Sequence, residues 1–358
     1  MTFTEEQKYW IWMASLPGMG AKTFYRLLKS YGNAANFFDA AAGDKAEAGD
    51  VPPELMKAAK VAASHARVSE LLAELAAKDI GVITRLDKGY PARLAGIPWP
   101  PPVLFVKGKL PALDDAIGIV GTRACTRRGF EHTRKIAAEL NMPVVSGMAR
   151  GIDTAAHLGA LDAKTPTVAV LGCGVDVIYP PENDALYHQI LEAGAVISEL
   201  PPGTGPNAAN FPVRNRIIAG LSRGLFVVES DIKGGTAITA SLAISSGRDV
   251  FAMPGPPFLA SSALPSELLT NGAYPVRGAA DIRAFYGANT TGTDTEEAEL
   301  PPMDFFQQRI YELLRREDMS IEDIAAAVQG APGEVSAELT MMELSGLCRR
   351  LPGGRFGV

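Results

Sequence analysis

The stretch AIGIVGTRACTRRG, residues 116–129, decides the fold. Its first five residues form a short apolar run fit for a buried strand. Gly121-Thr122-Arg123 then turns the chain into a segment expected to be helical as far as Leu140. The same unit recurs downstream. PVVS (143–146), TVAVL (167–171), AVIS (195–198), LFVVE (225–229) and DVFA (249–252) are short apolar runs with helix-capable segments between them. Strands so spaced predict βαβ units and a parallel sheet buried on both faces. The expected class is α/β with a central Rossmann-like sheet.

Two regions of different texture flank this core. The first, residues 1–85, is rich in Ala, Leu and Glu and is expected to be helical. Inside it LPGMG (16–20) separates amphipathic stretches at Thr4–Ser15 and Ala21–Tyr31. That hairpin is either a tight turn between helices or a set of free N–H groups able to meet a phosphate. YPARLAGIPWPPPVLFVKG (90–108) bridges to the core; its prolines argue against helix, and VLFVKG is expected to be an edge strand. The Rossmann-like domain is placed at 86–286, with a polar, acidic linker at 287–303. Residues 304–358 carry three helical stretches and a glycine-turned hairpin, the pattern of a winged helix, with Ser320 capping the second helix and Asp323 three residues on.

Composition excludes several functions. Cys125, Cys173 and Cys348 are scattered without CxxC spacing, and the four histidines make no HExxH, so neither disulfides nor a metal site is expected. The start, MTFTEEQKYW, lacks the apolar run of an export signal, and no window reaches membrane-spanning length; a cytoplasmic protein is expected. GxGxxG and GxxxxGK[ST] are both absent, and the second core strand ends in VVSGMARG rather than in the acid that grips a ribose. No nicotinamide, flavin or other cofactor is therefore expected. The net charge of −6 gives no global sign of a nucleic-acid binder, yet residues 123–128 and 201–224 each hold three arginines and no acid. With screening over about 8–10 Å, such clusters still act locally.

Ligands of open parallel sheets sit at the carboxyl ends of the strands. That edge comprises Gly121–Arg123, Ser146–Arg150, Gly172–Asp176, Glu199 and Glu229–Thr236. SGMARGIDTAAH (146–157), LGCGVDVIYP (171–180) and KGGTAITAS (233–241) are glycine-rich there, and FPVRNR (211–216), with Arg214, Asn215 and Arg216 expected in one turn, lies beside them. His157 is expected to be packed or capping, and Asp153 and Asp176 to hold loops by hydrogen bonds. The edge suits phosphates and shows no evident catalyst.

These motifs, with ISELPPG (197–203), FPVRNRIIAGLS (211–222), TAITASLAISSGRDVFAMPG (236–255) and LLTNGA (268–273), resemble the bacterial DNA-processing protein A family (DprA, also called Smf). The resemblance implies a SAM-like helical domain, a Rossmann-like domain and a winged helix. It implies a single-stranded DNA-binding protein that is not an enzyme. Such a protein loads a RecA-type recombinase in recombination and natural transformation, relieves the block from single-strand-binding protein, and forms a homodimer. Carried over by position, Gly121, Thr122, Arg123, Ser146, Gly147, Arg214, Asn215 and Arg216 would meet the DNA backbone. Phe211 would stack on a base, or pack as a core aromatic beside Pro212. Lys233, Gly234, Gly235, Thr236 and Thr239 would add phosphate contacts. The chain departs from the family in GGTAIT (234–239) and ALPSELLTNGA (263–273).

Two rivals belong to other classes. A nucleoside-monophosphate glycosidase of the lysine-decarboxylase-like Rossmann group carries PGGxGTxxE, but Thr239 stands where its glutamate would be, and threonine cannot stabilise an oxocarbenium ion as a carboxylate does. A duplex-reading transcription factor needs a basic recognition helix, whereas residues 333–345 hold Glu334, Glu338 and Glu343 and no Lys or Arg.

Overall fold

A computed structural model describes residues 3–43, 51–287, 303–314, 319–328, 330–345, 347–350 and 355–357. The chain forms two compact units, Met1–Ala288 and Asn289–Val358. The expected linker, apart from Gly287 and Met303, lies outside the described residues.

The first unit begins with helices α1 (Glu5–Ala14), α2 (Ala21–Tyr31), α3 (Ala34–Ala42), α4 (Pro53–Ala62) and α5 (His65–Ala77). Thr4 starts α1 with a capping box: its hydroxyl accepts from the Gln7 N–H at 3.3 Å, and the Gln7 side chain accepts from the Thr4 N–H at 2.9 Å. Trp12, Phe24, Phe37 and Phe38 fill the helical core.

The rest of the unit is a sheet with its covering helices. In chain order these are β1 (Gly81–Thr84), α6 (Ala92–Ala95), β2 (Val103–Gly108), β3 (Ile117–Val120), α7 (Arg127–Glu139), β4 (Val144–Ser146), α8 (Ile152–Asp162) and β5 (Thr167–Val170). There follow α9 (Asp184–Ala193), β6 (Ala195–Ser198), α10 (Asn210–Leu221), β7 (Gly224–Val227), α11 (Gly235–Ser245), β8 (Asp249–Ala252), α12 (Ala263–Thr270), β9 (Tyr274–Pro275) and α13 (Ala279–Phe285). Among the described residues the strands line up as β1-β2-β6-β5-β4-β3-β7-β8-β9, parallel from β6 to β9. The order reverses between β3 and β7, where Ile117 pairs with Gly224 and Val120 with Val227. A crevice opens at such a switch point, beyond the carboxyl ends of the strands.

Three expectations are corrected here. VLFVKG is not an edge strand: β2 pairs antiparallel with both β1 and β6. Its alternate side chains are buried on two sides, Val103 and Phe105 in the helical core and Leu104 and Val106 in the core of the sheet. The helical stretch stops before residue 85, because β1 forms the true edge at Gly81–Thr84. The proline-rich bridge also admits one helical turn, α6, between Pro91 and Gly96, because Pro91 stands before the helix, where its missing N–H breaks no helical bond.

The second unit contains α14 (Phe305–Leu314), β10 (Met319–Ser320), α15 (Ile321–Val328), α16 (Pro332–Leu344), β11 (Arg349–Arg350) and β12 (Arg355–Gly357). Its strands lie in the order β10-β12-β11, and Ile310, Ile324, Val335 and Leu339 share its core. Ser320 caps α15 by accepting from the Asp323 N–H at 3.2 Å.

Candidate nucleic-acid interface

A cavity of about 650 Å³ lies at the switch point between β3 and β7. Loops after β3, β4, β5, β6 and β7 and the start of α10 build its wall, the loop after β6 giving Pro206 and Ala208. Gly121, Thr122 and Arg123 come from the loop after β3, Ala149 and Asp153 from the region after β4, and Tyr179 from the loop after β5. Ser230, Asp231, Lys233 and Gly234 come from the loop after β7, and Gly235, Thr236 and Thr239 from α11. Phe211, Arg214 and Asn215 come from α10.

FPVRNR is the first half of a helix rather than a turn. Pro212 sits in the first turn of α10, where its missing N–H costs no intrahelical bond. Helical geometry then separates the two arginines. Arg214 points into the protein and is 5% exposed. Its Nη1 donates to the Gly147 carbonyl at 2.9 Å and to the Val170 carbonyl, and its Nε donates to Asn215 Oδ1 at 3.2 Å. Burial drives its pKa down to about 10, partly offset by the charge of Asp153. Arg214 is thus a buried tie between strand ends and the floor of the cavity, not a free phosphate ligand. Arg216 faces away from the cavity lining and pairs with Glu199, both side chains being largely buried.

Phe211 sits above this floor, half-buried. A Cβ on Gly172 would come within 2.8 Å of its ring, so glycine there lets the ring approach the loop after β5 closely. The Arg123 guanidinium lies 5.5 Å from the ring centroid and that of Arg214 5.9 Å. Tyr179 stands 5.5 Å away, ring to ring. Arg123 is exposed, so the cavity mouth presents one accessible cation beside two aromatic rings. Tyr179 was not singled out from the sequence; an aromatic just before a proline in a strand-end loop was the available signal.

The remaining site residues divide. Lys233, Gly234 and Gly235 are exposed at the start of α11, and Asn215 Nδ2 donates to the Gly235 carbonyl at 3.1 Å, fixing α11 to α10. Thr236 is half-buried. Thr239 is buried, and its hydroxyl donates back to Gly235 at 3.0 Å. Ser146 is fully buried and donates to the Ile119 carbonyl at 2.6 Å, outside the cavity lining. Gly147 is likewise buried, packed so closely on Arg214 that no side chain fits. Its N–H and that of Ala149 donate to Asp153 at 3.2 and 3.3 Å, so Asp153 holds the loop before α8. Burial raises the pKa of that carboxyl, against the pull of Arg214 and the two N–H groups.

The start of α7 is not an open anion site. The Glu229 carboxylate already occupies it, accepting from the Thr126 N–H at 2.8 Å and the Thr126 hydroxyl at 2.5 Å. Gly121, Thr122 and Arg123 therefore serve the cavity through Arg123 and through packing, with Thr122 N–H donating to the Glu229 carbonyl at 2.6 Å.

Fold and site together define a class: an α/β protein with a Rossmann-type sheet, whose strand-end crevice joins aromatic rings to guanidinium and ammonium groups. The DNA recombination-mediator protein A model matches residues 81–287, and the DprA winged helix domain model matches 295–354. The chain belongs to the DNA recombination-mediator protein A family. It is 32% identical over 98% of its length to Protein Smf of Synechocystis, covering 98% of that protein. Among solved structures it is similar to DNA processing protein A from Streptococcus pneumoniae, with a TM-score of 0.66 and 33% identity over 79% of this chain and 98% of that one. It is also similar to DNA processing protein A from Helicobacter pylori, described for its single-stranded DNA binding mode, with a TM-score of 0.53 and 27% identity over 58% of this chain and 95% of that one.

Proposed function

We propose that the chain binds single-stranded DNA in the strand-end cavity and delivers it to a RecA-type recombinase. The observation that carries this reading is the Phe211 ring at the cavity mouth, with Arg123 5.5 Å from its centroid and Tyr179 5.5 Å beyond. A half-exposed ring takes an unpaired base on its face, and any base will serve, which suits binding without sequence preference. Arg123 and Lys233 neutralise backbone phosphates, while the first N–H groups of α11 give further donors. The protein acts as a homodimer in the cytoplasm, without catalysis of its own, and displaces single-strand-binding protein as the recombinase assembles.

Fluorescence anisotropy of a labelled oligo-dT, competed by unlabelled single strand or duplex, tests the reading. Phe211→Ala is expected to cost about 1–3 kcal/mol of binding. Arg123→Ala is expected to weaken binding and flatten the salt dependence by about 0.7 in log–log slope. Equal competition by duplex, or variants that bind like the parent, would overturn it. Thr239, which stands where the glycosidase glutamate would be, commits its hydroxyl to the Gly235 carbonyl, which disfavours the glycosidase reading; release of free base from AMP at catalytic protein levels would reinstate it.

A further inference from the structure

The strand-end edge does not stop at the cavity. β1 runs antiparallel to β2, and β2 antiparallel to β6, so β1 ends at the same edge as the parallel strands. Arg85 follows β1 there, exposed, with its guanidinium 5.5 Å from the Tyr90 ring centroid. Trp99 stands close by. Its ring lies 6.4 Å from that of Tyr25 on α2, and it is 49% exposed, whereas Trp10 and Trp12 are 6% and 2% exposed. Its backbone takes φ 53°, a left-handed conformation rare for a bulky residue and disfavoured again before Pro100. The chain thus holds a large aromatic ring in solvent at a conformational cost, flanked by prolines that stiffen the loop.

Charge converges on the same place. From Gln7 to Phe38 the sequence holds no acid, in a chain whose net charge is −6. Lys22, Tyr25 and Lys29 recur at i, i+3 and i+7 and so share a face of α2, with both lysines exposed. Nearby acids are engaged: Asp87 accepts from Gln7 at 2.6 Å and from Thr84, and Glu199 is paired with Arg216. Arg216 belongs to α10, five residues beyond Phe211 in the cavity wall. Arg85 and Arg216 both lie near enough to Tyr25 for their charges to oppose the burial that pushes its hydroxyl up to about 12. The cavity and the Trp99 patch are therefore successive stations along one edge, linked by α10.

Resting on the reading of the cavity as a single-strand site, we propose that Trp99, Arg85, Lys22 and Lys29 form a second contact for the same strand. One base stacks on Trp99, and the three cations hold the adjoining phosphates. Stacking rings interleaved with cations suit an unpaired strand, since a duplex offers phosphates but no base face.

Tryptophan emission of the full-length protein tests this, because Trp99 is the exposed indole. Oligo-dT of about six and about twenty nucleotides would be titrated, lengths chosen to bracket common single-strand site sizes. The longer strand is expected to quench emission and shield it from acrylamide, and the shorter to bind without either effect. Trp99→Phe should abolish the quenching. Trp99→Asn, which accepts the left-handed backbone, should weaken the longer strand at least several-fold and leave the shorter unchanged. Lys22→Ala with Lys29→Ala should lower the salt slope of the longer strand alone by about 1.4, two contacts at about 0.7 each. Unaltered emission with the longer strand bound, or variants that bind both lengths like the parent, would overturn the second contact while leaving the cavity. Failure of both lengths to bind would overturn the cavity reading and its extension together.

Discussion

Arg214 and Arg123 are both arginines at one cavity, yet they do opposite work. Arg123 is exposed and can exchange water for phosphate, while Arg214 gives its donors to the Gly147 and Val170 carbonyls. Arg214→Ala would leave those carbonyls without its donor and the buried charge of Asp153 without a countercharge beside it. The unfolding free energy should fall by about 3–5 kcal/mol, read from urea midpoints. Arg123→Ala should leave those midpoints unchanged, so loss of DNA binding has an unambiguous meaning only for Arg123. His157 makes a second stability statement. Its Nδ1 lies 2.7 Å from the Thr167 hydroxyl, and burial, then the charge of Arg214, depress its pKa to about 3. The native chain therefore refuses a proton that the unfolded chain accepts near pH 6.5. Stability is full above pH 6.5 and falls by about 1.4 kcal/mol per pH unit below it, down to about pH 3. Urea titrations at pH 7.5 and 5.0 check this: His157→Gln should lose less stability between them than the parent does.

At the scale of elements, close approach sets the site. Phe211 rests on Gly172 because no side chain intervenes, so Gly172→Ala should displace the ring and weaken oligo-dT binding nearly as much as Phe211→Ala, with about 1–3 kcal/mol lost from overpacking. Anisotropy and urea midpoints measured on one preparation separate the two effects. The βαβ core was legible because β3 to β8 are short, mostly apolar runs that only a doubly covered sheet can bury. The glycine-rich strand ends were legible for the same reason. What escaped was tertiary. The segment Arg214–Arg216 was expected to be a turn but belongs to α10, and nothing local announces that Arg214 reaches carbonyls 44 and 67 residues away. The Glu229 carboxylate fills the start of α7 across 103 residues, which no neighbourhood of Thr126 foretells. β2 looked like an edge because prolines precede it, yet a helical bundle and a sheet claim its two faces.

For the whole molecule, the division into two units separates tasks. Every residue of the cavity and of the Trp99 patch belongs to Met1–Ala288. A chain ending at residue 288 should therefore bind oligo-dT within a few-fold of the full protein; a loss of affinity beyond tenfold would bring the winged helix into the interface. Net charge misleads at this scale. The chain is acidic overall, yet Arg123, Lys233 and Arg85 lie exposed along the strand-end edge, where screening does not remove their local effect. The tie made by Arg214 has one more consequence. The platform beneath the Phe211 ring hangs from the same bonds that tie the strand ends together, so it cannot breathe separately from the sheet. The amide hydrogens of Gly147 and Ala149 should exchange only as fast as the entire unit unfolds, and a strand arriving at Phe211 would meet a surface whose ordering entropy was lost when the protein folded.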